Sequence, residues 1–116
     1  MYIIYGIPNC NTVKKATQWF DQNRIPYTFH NYQKLGISQE KLNNWAQQVG
    51  WELLINRKGT TWRKNSEGNE KIVQTEKGTL QLLSTQTSII KRPVIEKDGK
   101  VMVVGFDGDH YLSLFL

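Results

Sequence analysis

The first third of the chain alternates between the residue spacing of strands and that of a helix. Residues 2–6 are β-branched and aromatic and end in glycine, which predicts a short buried strand. Residues 11–23 carry apolar side chains at helical spacing and predict an amphipathic helix. Its apolar positions are Val13, Ala16 and Phe20. Residues 27–30 alternate aromatic and polar side chains, which predicts a second strand and hence a parallel βαβ unit.

The middle of the chain predicts helices separated by a polar segment. Ser38 precedes a periodic apolar run and is a suitable N-cap, and Gly50 ends that run. The apolar positions of the run are Leu42, Trp45, Ala46 and Val49. Residues 57–68 are rich in lysine, arginine, threonine and glycine, which predicts mostly loop with short turns. A weaker helix is predicted over about 76–84, where Gly78 lowers the helix propensity.

The last third changes to the period of strands. Residues 93–96 and 101–104 are rich in β-branched side chains and flank Asp98-Gly99, a dipeptide typical of tight hairpins. A short closing helix follows, with Asp107 or Asp109 as its N-cap. This part of the chain therefore predicts an antiparallel ββ pair followed by a helix.

These elements predict a single α/β domain over 1–116, with a helical stretch over about 35–86 between the βαβ unit and the hairpin. A length of 116 residues suits one domain, and contents of 39% hydrophobic and 22% charged residues are typical of globular proteins. We find neither the pattern of a signal peptide nor an apolar run of membrane-spanning length. The expected location is the cytoplasm, with no membrane partner.

The cysteine and histidine content limits the chemistry that the chain can support. One cysteine excludes an internal disulfide framework, which suits a reducing compartment. His30 and His110 have no companions in a metal-ligand pattern, so no metal site is expected. The net charge of +5 favours anionic partners, but the basic residues are scattered, so no direct binding of nucleic acid is expected.

Cys10 is the candidate reactive group. A lone cysteine is often only a small buried apolar residue, but this one lies where a strand has ended and a helix begins. Unpaired N–H groups and the helix dipole favour the thiolate at such a position. Lys14 and Lys15 add positive charge nearby, and the Thr12 hydroxyl is a candidate hydrogen-bond donor to the sulfur. These features predict a pKa for Cys10 below the usual value of about 8.5.

Three segments of the sequence resemble blocks of the ArsC/Spx family, the arsenate-reductase-like branch of the thioredoxin superfamily. They are GIPNCNTVKKA at 6–16, RKGTTWR at 57–63 and IKRPV at 90–94. Their order and spacing are most similar to those of the small bacterial YffB-type proteins. The resemblance implies a thioredoxin-like fold, a four-stranded mixed sheet with a helical insertion between its βαβ and ββα halves.

The same resemblance implies the residues of a site around Cys10. Arg92 and Arg57 match positions at which arsenate reductases place arginines around the nucleophile, and a guanidinium can stabilise a thiolate or bind an anion. The Arg92–Pro93 bond is expected to be cis, with the preceding backbone holding an extended thiol substrate. The tryptophans at 19, 45 and 51 are expected to pack in the core or between helices, whereas Trp62 is a candidate to line the cleft. Further candidate substrate-binding residues are Asn9, Thr12, Lys14, Arg63, Lys91 and Pro93.

Two departures from the family pattern separate the activities that the resemblance implies. Val13 replaces the second cysteine of the Cys-x-x-Cys switch of many Spx regulators, so any resolving thiol must come from another molecule. The stretch 103–106 lacks the third arginine of arsenate reductases, which argues against arsenate reduction. The expected activity is that of a glutathione-dependent thiol reductase acting on an oxidised protein or another disulfide, with no bound cofactor. The alternatives are an Spx-like regulator that binds RNA polymerase and, third, an arsenate reductase.

Overall fold

The computed structural model describes residues 1–116 and contains four strands and seven α-helices. The strands are β1 (Tyr2–Gly6), β2 (Tyr27–Asn31), β3 (Val94–Lys97) and β4 (Lys100–Val104). The helices are α1 (Asn11–Gln22), α2 (Tyr32–Leu35), α3 (Gln39–Val49), α4 (Thr60–Arg63), α5 (Ser66–Ile72), α6 (Glu76–Thr85) and α7 (Gly108–Phe115). Short 3₁₀ helices occupy Trp51–Leu54 and Thr87–Ile89. None of the helices has the length and apolar character needed to cross a membrane.

The four strands form one mixed sheet in the order β2-β1-β3-β4. β1 and β2 are parallel, as the predicted βαβ unit requires, whereas β3 is antiparallel to both β1 and β4. The pairing of Tyr5 with Val94 fixes the register between β1 and β3. This strand order and the helices around it give the chain the thioredoxin-like fold that the family resemblance implied.

The chain divides into two compact units, and the sheet belongs to the first, formed by Met1–Asn31 and Arg92–Leu116. Its core joins the sheet to α1 and α7 through fully buried side chains. These are Ile4, Ala16, Phe20, Ile95 and Tyr111. Aromatic rings extend this core, with Phe20 and Phe115 only 4.9 Å apart between centroids. The apolar positions predicted for the first helix are therefore the ones that it buries.

Local signals in the sequence account for several element boundaries. The Ser38 hydroxyl accepts a hydrogen bond of 3.0 Å from the Lys41 N–H and caps α3, as predicted. Asp107, rather than Asp109, caps α7. Asp98 and Gly99 both have positive φ, 51° and 81°, which is the backbone conformation of the tight turn predicted between β3 and β4.

The second unit, Tyr32–Lys91, contains the helices between the two halves of the sheet. The helical stretch predicted over about 35–86 lies within this unit, and β2 passes directly into the short helix α2 at its start. Within this unit α3 packs against α6, and Ile55 forms an isolated bridge with Ile90. That the whole chain folds as a single domain stays a prediction.

The prediction of mostly loop over 57–68 was wrong, because α4 lies within this segment and α5 begins in it. Asn69 explains why the apolar pattern missed α5. It is polar but only 1% exposed, and its side-chain amide donates to the carbonyl oxygen of Trp62 at 3.2 Å. A buried amide that satisfies a helix end has no apolar signature in the sequence.

Gly78 is required in α6 rather than merely tolerated there. A Cβ atom at this position would lie 2.5 Å from the Ile72 carbonyl oxygen and 3.1 Å from Thr75 Oγ1. The Gly78 N–H also donates to that Thr75 oxygen at 3.0 Å, which caps the helix. The glycine that lowers the helix propensity therefore permits a close approach at the start of the helix.

Candidate functional site

Cys10 is placed at the start of α1 by the short connection from β1. Its backbone is extended, with φ −144° and ψ 124°, as is usual for the N-cap of a helix. The Cys10 carbonyl oxygen accepts the Lys14 N–H at 2.9 Å, which is the first hydrogen bond of the helical turn. The side chain is half-buried and its sulfur is not in a disulfide. The thiol is therefore held at a helix N-terminus without being sealed in the core.

Gly6 allows the helix to begin this close to the strand. A Cβ atom at Gly6 would lie 2.8 Å from Val13 Cγ2, closer than side-chain atoms pack. Val13 is itself 2% exposed and belongs to the buried side of α1. The glycine at the end of β1 thus lets the first helical turn, with its N–H groups, pack directly against the strand.

Opposing effects act on the pKa of Cys10. Burial, the largest single effect, raises the pKa, whereas hydrogen bonds from the Val13 N–H, the Arg92 side chain and the Thr12 N–H lower it together with the Arg92 charge. The lowering effects prevail, and the pKa of Cys10 lies below its ordinary value. The arrangement can hold a thiolate and direct it at an electrophilic sulfur.

Arg92 and Pro93 reach Cys10 through the register of the sheet. Because Val94 pairs with Tyr5 in antiparallel strands, the residues just before β3 lie beside the end of β1 that leads to Cys10. Arg92 is half-buried, Pro93 is buried, and the peptide bond between them is cis, as the family resemblance implied. The structure therefore brings Cys10, Arg92 and Pro93 together within the first unit.

The other predicted residues near the cysteine are mostly exposed. Asn9, Thr12 and Lys14 are exposed around the start of α1. Thr12 acts on the sulfur through its backbone N–H, whereas the sequence had suggested its hydroxyl. Lys91 is exposed and donates its backbone N–H to the Leu54 carbonyl oxygen within the second unit.

Arg57 and Arg63 belong to the second unit, and Arg57 has well-defined partners there. The Arg57 Nε lies 2.6 Å from Glu70 Oε1, and its guanidinium lies over the ring of Trp62 at 5.2 Å from the centroid. Trp62 is only 3% exposed, so it is a core residue of this unit. Arg63 is exposed. The anion-binding role of Arg57 and the substrate-binding role of Arg63 stay predictions.

A buried polar pair on the sheet escaped the sequence analysis. The Tyr5 hydroxyl donates to Glu96 Oε1 at 3.2 Å, and these residues are 5% and 1% exposed. The Tyr5 ring also contacts the ring of His30, with centroids 4.9 Å apart. The available signal was a glutamate within a run of β-branched residues, a position where a buried charge needs a partner.

The comparisons with known proteins agree with this architecture. The YffB protein has a solved structure that superimposes with a TM-score of 0.90 at 40% identity, covering 100% of both chains. An arsenate reductase (ArsC) related protein from Brucella melitensis superimposes with a TM-score of 0.76 at 44% identity, covering 98% of this chain and 93% of that one.

A regulator is also similar to the chain. The global transcriptional regulator Spx of Streptococcus pneumoniae is 25% identical over 111 residues, which cover 94% of this chain and 81% of Spx. The model of the ArsC family matches residues 5–114. Because that match spans nearly the whole sequence and includes Cys10, Arg92 and Pro93, the chain belongs to the ArsC family.

Proposed function

We propose that the protein is a glutathione-dependent thiol reductase whose nucleophile is Cys10. The observation that carries this proposal is the lowered pKa of a half-buried thiol that receives hydrogen bonds from two backbone N–H groups and the Arg92 side chain. A thiolate is the reactive form in disulfide exchange, and it must remain accessible to react. Membership of the ArsC family supports thiol chemistry but leaves the reductant and the substrate open.

The reaction would proceed through two exchanges. The Cys10 thiolate attacks one sulfur of a glutathione mixed disulfide on a substrate, forming a Cys10–glutathione disulfide and releasing the substrate thiolate, which takes up a proton. A second glutathione, as its thiolate, then attacks the glutathione sulfur of that disulfide. Glutathione disulfide leaves, and Cys10 returns to the thiolate. The two exchanges together convert the mixed disulfide and one free glutathione into the substrate thiol and glutathione disulfide, so the free glutathione is the reductant.

The residues around the sulfur support both exchanges. The Val13 and Thr12 N–H groups and Arg92 stabilise the thiolate before the attack. They also make Cys10 a good leaving group in the second step, because a thiol of lower pKa leaves faster. Glutathione has two carboxylates, which suits a chain of net charge +5. Arg57 stays a predicted anion-binding residue in this scheme.

The direct test is turnover of a glutathionylated peptide with glutathione as reductant, followed by mass spectrometry of the intermediate. We expect a glutathione adduct on Cys10 and loss of turnover in Cys10→Ser. A Cys10 pKa at or above about 8.5 with no adduct under oxidising conditions would contradict the proposal. Glutathione-dependent turnover of arsenate, coupled to glutaredoxin, would instead favour arsenate reduction.

Similarity to Spx supports a second candidate function, in which the protein docks on RNA polymerase as a regulator. Val13 stands where a second cysteine would form a switch, so such a role could not use an internal disulfide. Affinity capture from a bacterial lysate separates the two functions. Equal retention of polymerase subunits by the wild-type protein and Cys10→Ala would favour the regulator.

A further inference from the structure

A groove of about 310 Å³ opens between α1 and the edge strand β2, beside the turn that holds Cys10. It is lined by Pro8, Val13, Lys14, Thr17, Tyr27 and Phe29. Pro8 lies two residues before Cys10, and Val13 donates its backbone N–H to the Cys10 sulfur. Cys10 does not itself line the groove, which begins at these neighbours of the sulfur, whereas Arg92 acts on the sulfur from the segment before β3.

The walls of the groove are apolar and anchored. Tyr27 and Phe29 are half-buried and pack against the aromatic core under α1. The Tyr27 hydroxyl hydrogen-bonds to the Asp21 carboxylate, and the Tyr27 and Phe20 rings meet edge to face with centroids 5.6 Å apart. Anchored walls keep a pocket open, so little ordering is needed when a side chain enters.

Charged groups of opposite sign flank the groove: Lys14 lines it, and the Asp21 carboxylate hydrogen-bonds to the hydroxyl of Tyr27 in its wall. The Lys14 side chain is exposed, and this residue lies one helical turn after Cys10, with its backbone N–H donating to the Cys10 carbonyl oxygen. Thr17 adds a hydroxyl whose hydrogen bond goes to the Lys14 carbonyl oxygen at 3.1 Å. The groove thus combines an apolar interior with a cation near the reacting atom.

This composition does not match glutathione, a charged tripeptide without a large apolar side chain. We infer that the groove binds the other half of the substrate disulfide: an extended protein segment with an aromatic side chain and an acidic residue flanking its cysteine. The inference rests on the proposed function for its substrate. The aromatic side chain would occupy the space between α1 and β2, with the carboxylate beside Lys14. Charge complementarity places the acidic residue of the segment beside Lys14 and away from the Asp21 carboxylate at Tyr27.

The first test measures binding apart from chemistry. Cys10→Ser is titrated by ¹⁵N NMR with two peptides in which serine replaces cysteine, one flanked by phenylalanine and glutamate and the other by glycine and glutamine. We expect the first peptide to bind on the order of tenfold more tightly, as for one well-buried side chain, and to shift the amides of Thr17 and Phe29. Equal affinities would overturn the inference.

Matched variants locate the effect within the groove. Thr17→Phe fills it, whereas Gln18→Phe adds the same ring at the neighbouring exposed position, which does not line it. Lys14→Glu and Lys15→Glu change the net charge equally, and only Lys14 lines the groove. We expect the preference for the first peptide to fall several-fold in Thr17→Phe and Lys14→Glu alone. Equal effects of the two variants within each pair would overturn the inference. If Thr17→Phe does not fold, the comparison of Lys14→Glu with Lys15→Glu, both at exposed positions, provides the test.

A kinetic arm separates failure of this inference from failure of the proposed function. The glutathionylated forms of the cysteine-containing peptides are offered to the wild-type protein with glutathione. Equal turnover of both peptides would retain the thiol reductase and overturn the groove as a specificity site. Preferential binding without any exchange at Cys10 would overturn the reductase, while the groove would remain a site for an acidic, aromatic segment.

Discussion

The Arg92 side chain donates a hydrogen bond to the sulfur of Cys10, joining the start of the first helix to the residue before the cis proline. The sequence places these residues at opposite ends of the chain, and the pairing of Tyr5 with Val94 brings them together. Arg92 both donates this bond and supplies a positive charge, and each effect lowers the pKa of Cys10. The side chain should therefore set how much thiolate exists near neutral pH.

Replacing this side chain tests that role. We expect Arg92→Gln to raise the pKa of Cys10, because a charge and a charge-assisted hydrogen bond are lost together. The pKa is measured from the pH dependence of alkylation by iodoacetamide. Arg24→Asn is the control, because it removes an exposed positive charge from the same compact unit of the structure. Asparagine tolerates the φ of 56° at that position. An unchanged pKa in Arg92→Gln would remove Arg92 from the site.

The lowered pKa of Cys10 predicts that the free energy of unfolding depends on pH. Because the pKa is lower in the folded chain than in the unfolded chain, the unfolded state holds more proton between the two values. The stabilisation by the thiolate is therefore complete above the unfolded pKa of about 8.5 and disappears as the pH falls through the folded pKa. Urea unfolding of the wild-type protein and Cys10→Ser across this range should show a difference that grows in favour of the wild type with rising pH. A constant difference would mean that the pKa does not change on folding.

The close packing of Gly6 against Val13 gives a prediction about the pKa of Cys10. We expect Gly6→Ala to displace Val13, to destabilise the fold by about 1–3 kcal/mol and to raise the pKa of Cys10, because the Val13 N–H moves from the sulfur. Val13→Ala removes the two Cγ atoms that a Cβ at Gly6 would meet at 2.8 and 3.2 Å. The double variant should therefore recover part of the pKa shift, measured by alkylation and analysed as a double-mutant cycle. Strictly additive effects would show that residues 6 and 13 are not sterically coupled.

Gly78 gives a prediction about α6 that opposes helix propensity. Alanine is a better helix former than glycine, yet Gly78→Ala places a carbon 2.5 Å from the Ile72 carbonyl oxygen. We expect a loss of about 1–3 kcal/mol in the free energy of unfolding, measured with urea. Gly108→Ala at the start of α7 is the matched control, since the nearest atom there is Phe106 Cζ at 3.9 Å. A change within about 0.5 kcal/mol is expected for the control. Equal effects of the two variants would contradict the steric argument.

The buried pair of Tyr5 and Glu96 should matter for stability. Tyr5→Phe removes the hydroxyl that donates to Glu96 Oε1, and we expect a loss of about 1–3 kcal/mol because the carboxylate loses that donor in the protein interior. Tyr2→Phe in the same strand is the control, since Tyr2 is half-buried. The measurement is chemical denaturation at neutral pH. If Tyr5→Phe and Tyr2→Phe lower the free energy of unfolding equally, the hydrogen bond from Tyr5 to Glu96 makes no specific contribution to stability.

The sequence predicted those elements whose cause is local. Ser38 and Asp107 mark helix starts because a side-chain oxygen satisfies nearby N–H groups, and Asp98-Gly99 marks the hairpin because both residues adopt positive φ. Helix α5 was missed because Asn69 is buried through a hydrogen bond to Trp62 instead of an apolar contact.

The candidate site also contains one residue that a local pattern identifies and another that only the fold brings to it. Cys10 could be identified from its position at a helix start, because the donors of the first turn are adjacent in sequence. Its partnership with Arg92 depends on strand pairing between distant segments, which no local pattern encodes, and only the family resemblance suggested it. The hydrogen bond between Tyr5 and Glu96 also joins residues that are distant in the sequence, and no motif in the sequence marked it.

The division of the sheet between the two ends of the chain has a consequence for biosynthesis. Because translation delivers β1 and Cys10 first, β1 must wait for β3 until the ribosome has added the whole segment Tyr32–Lys91. The nascent polypeptide lacks the Arg92 donor throughout that interval. The contribution of Arg92 to the thiolate therefore begins only after the segment that leads into β3 has been made.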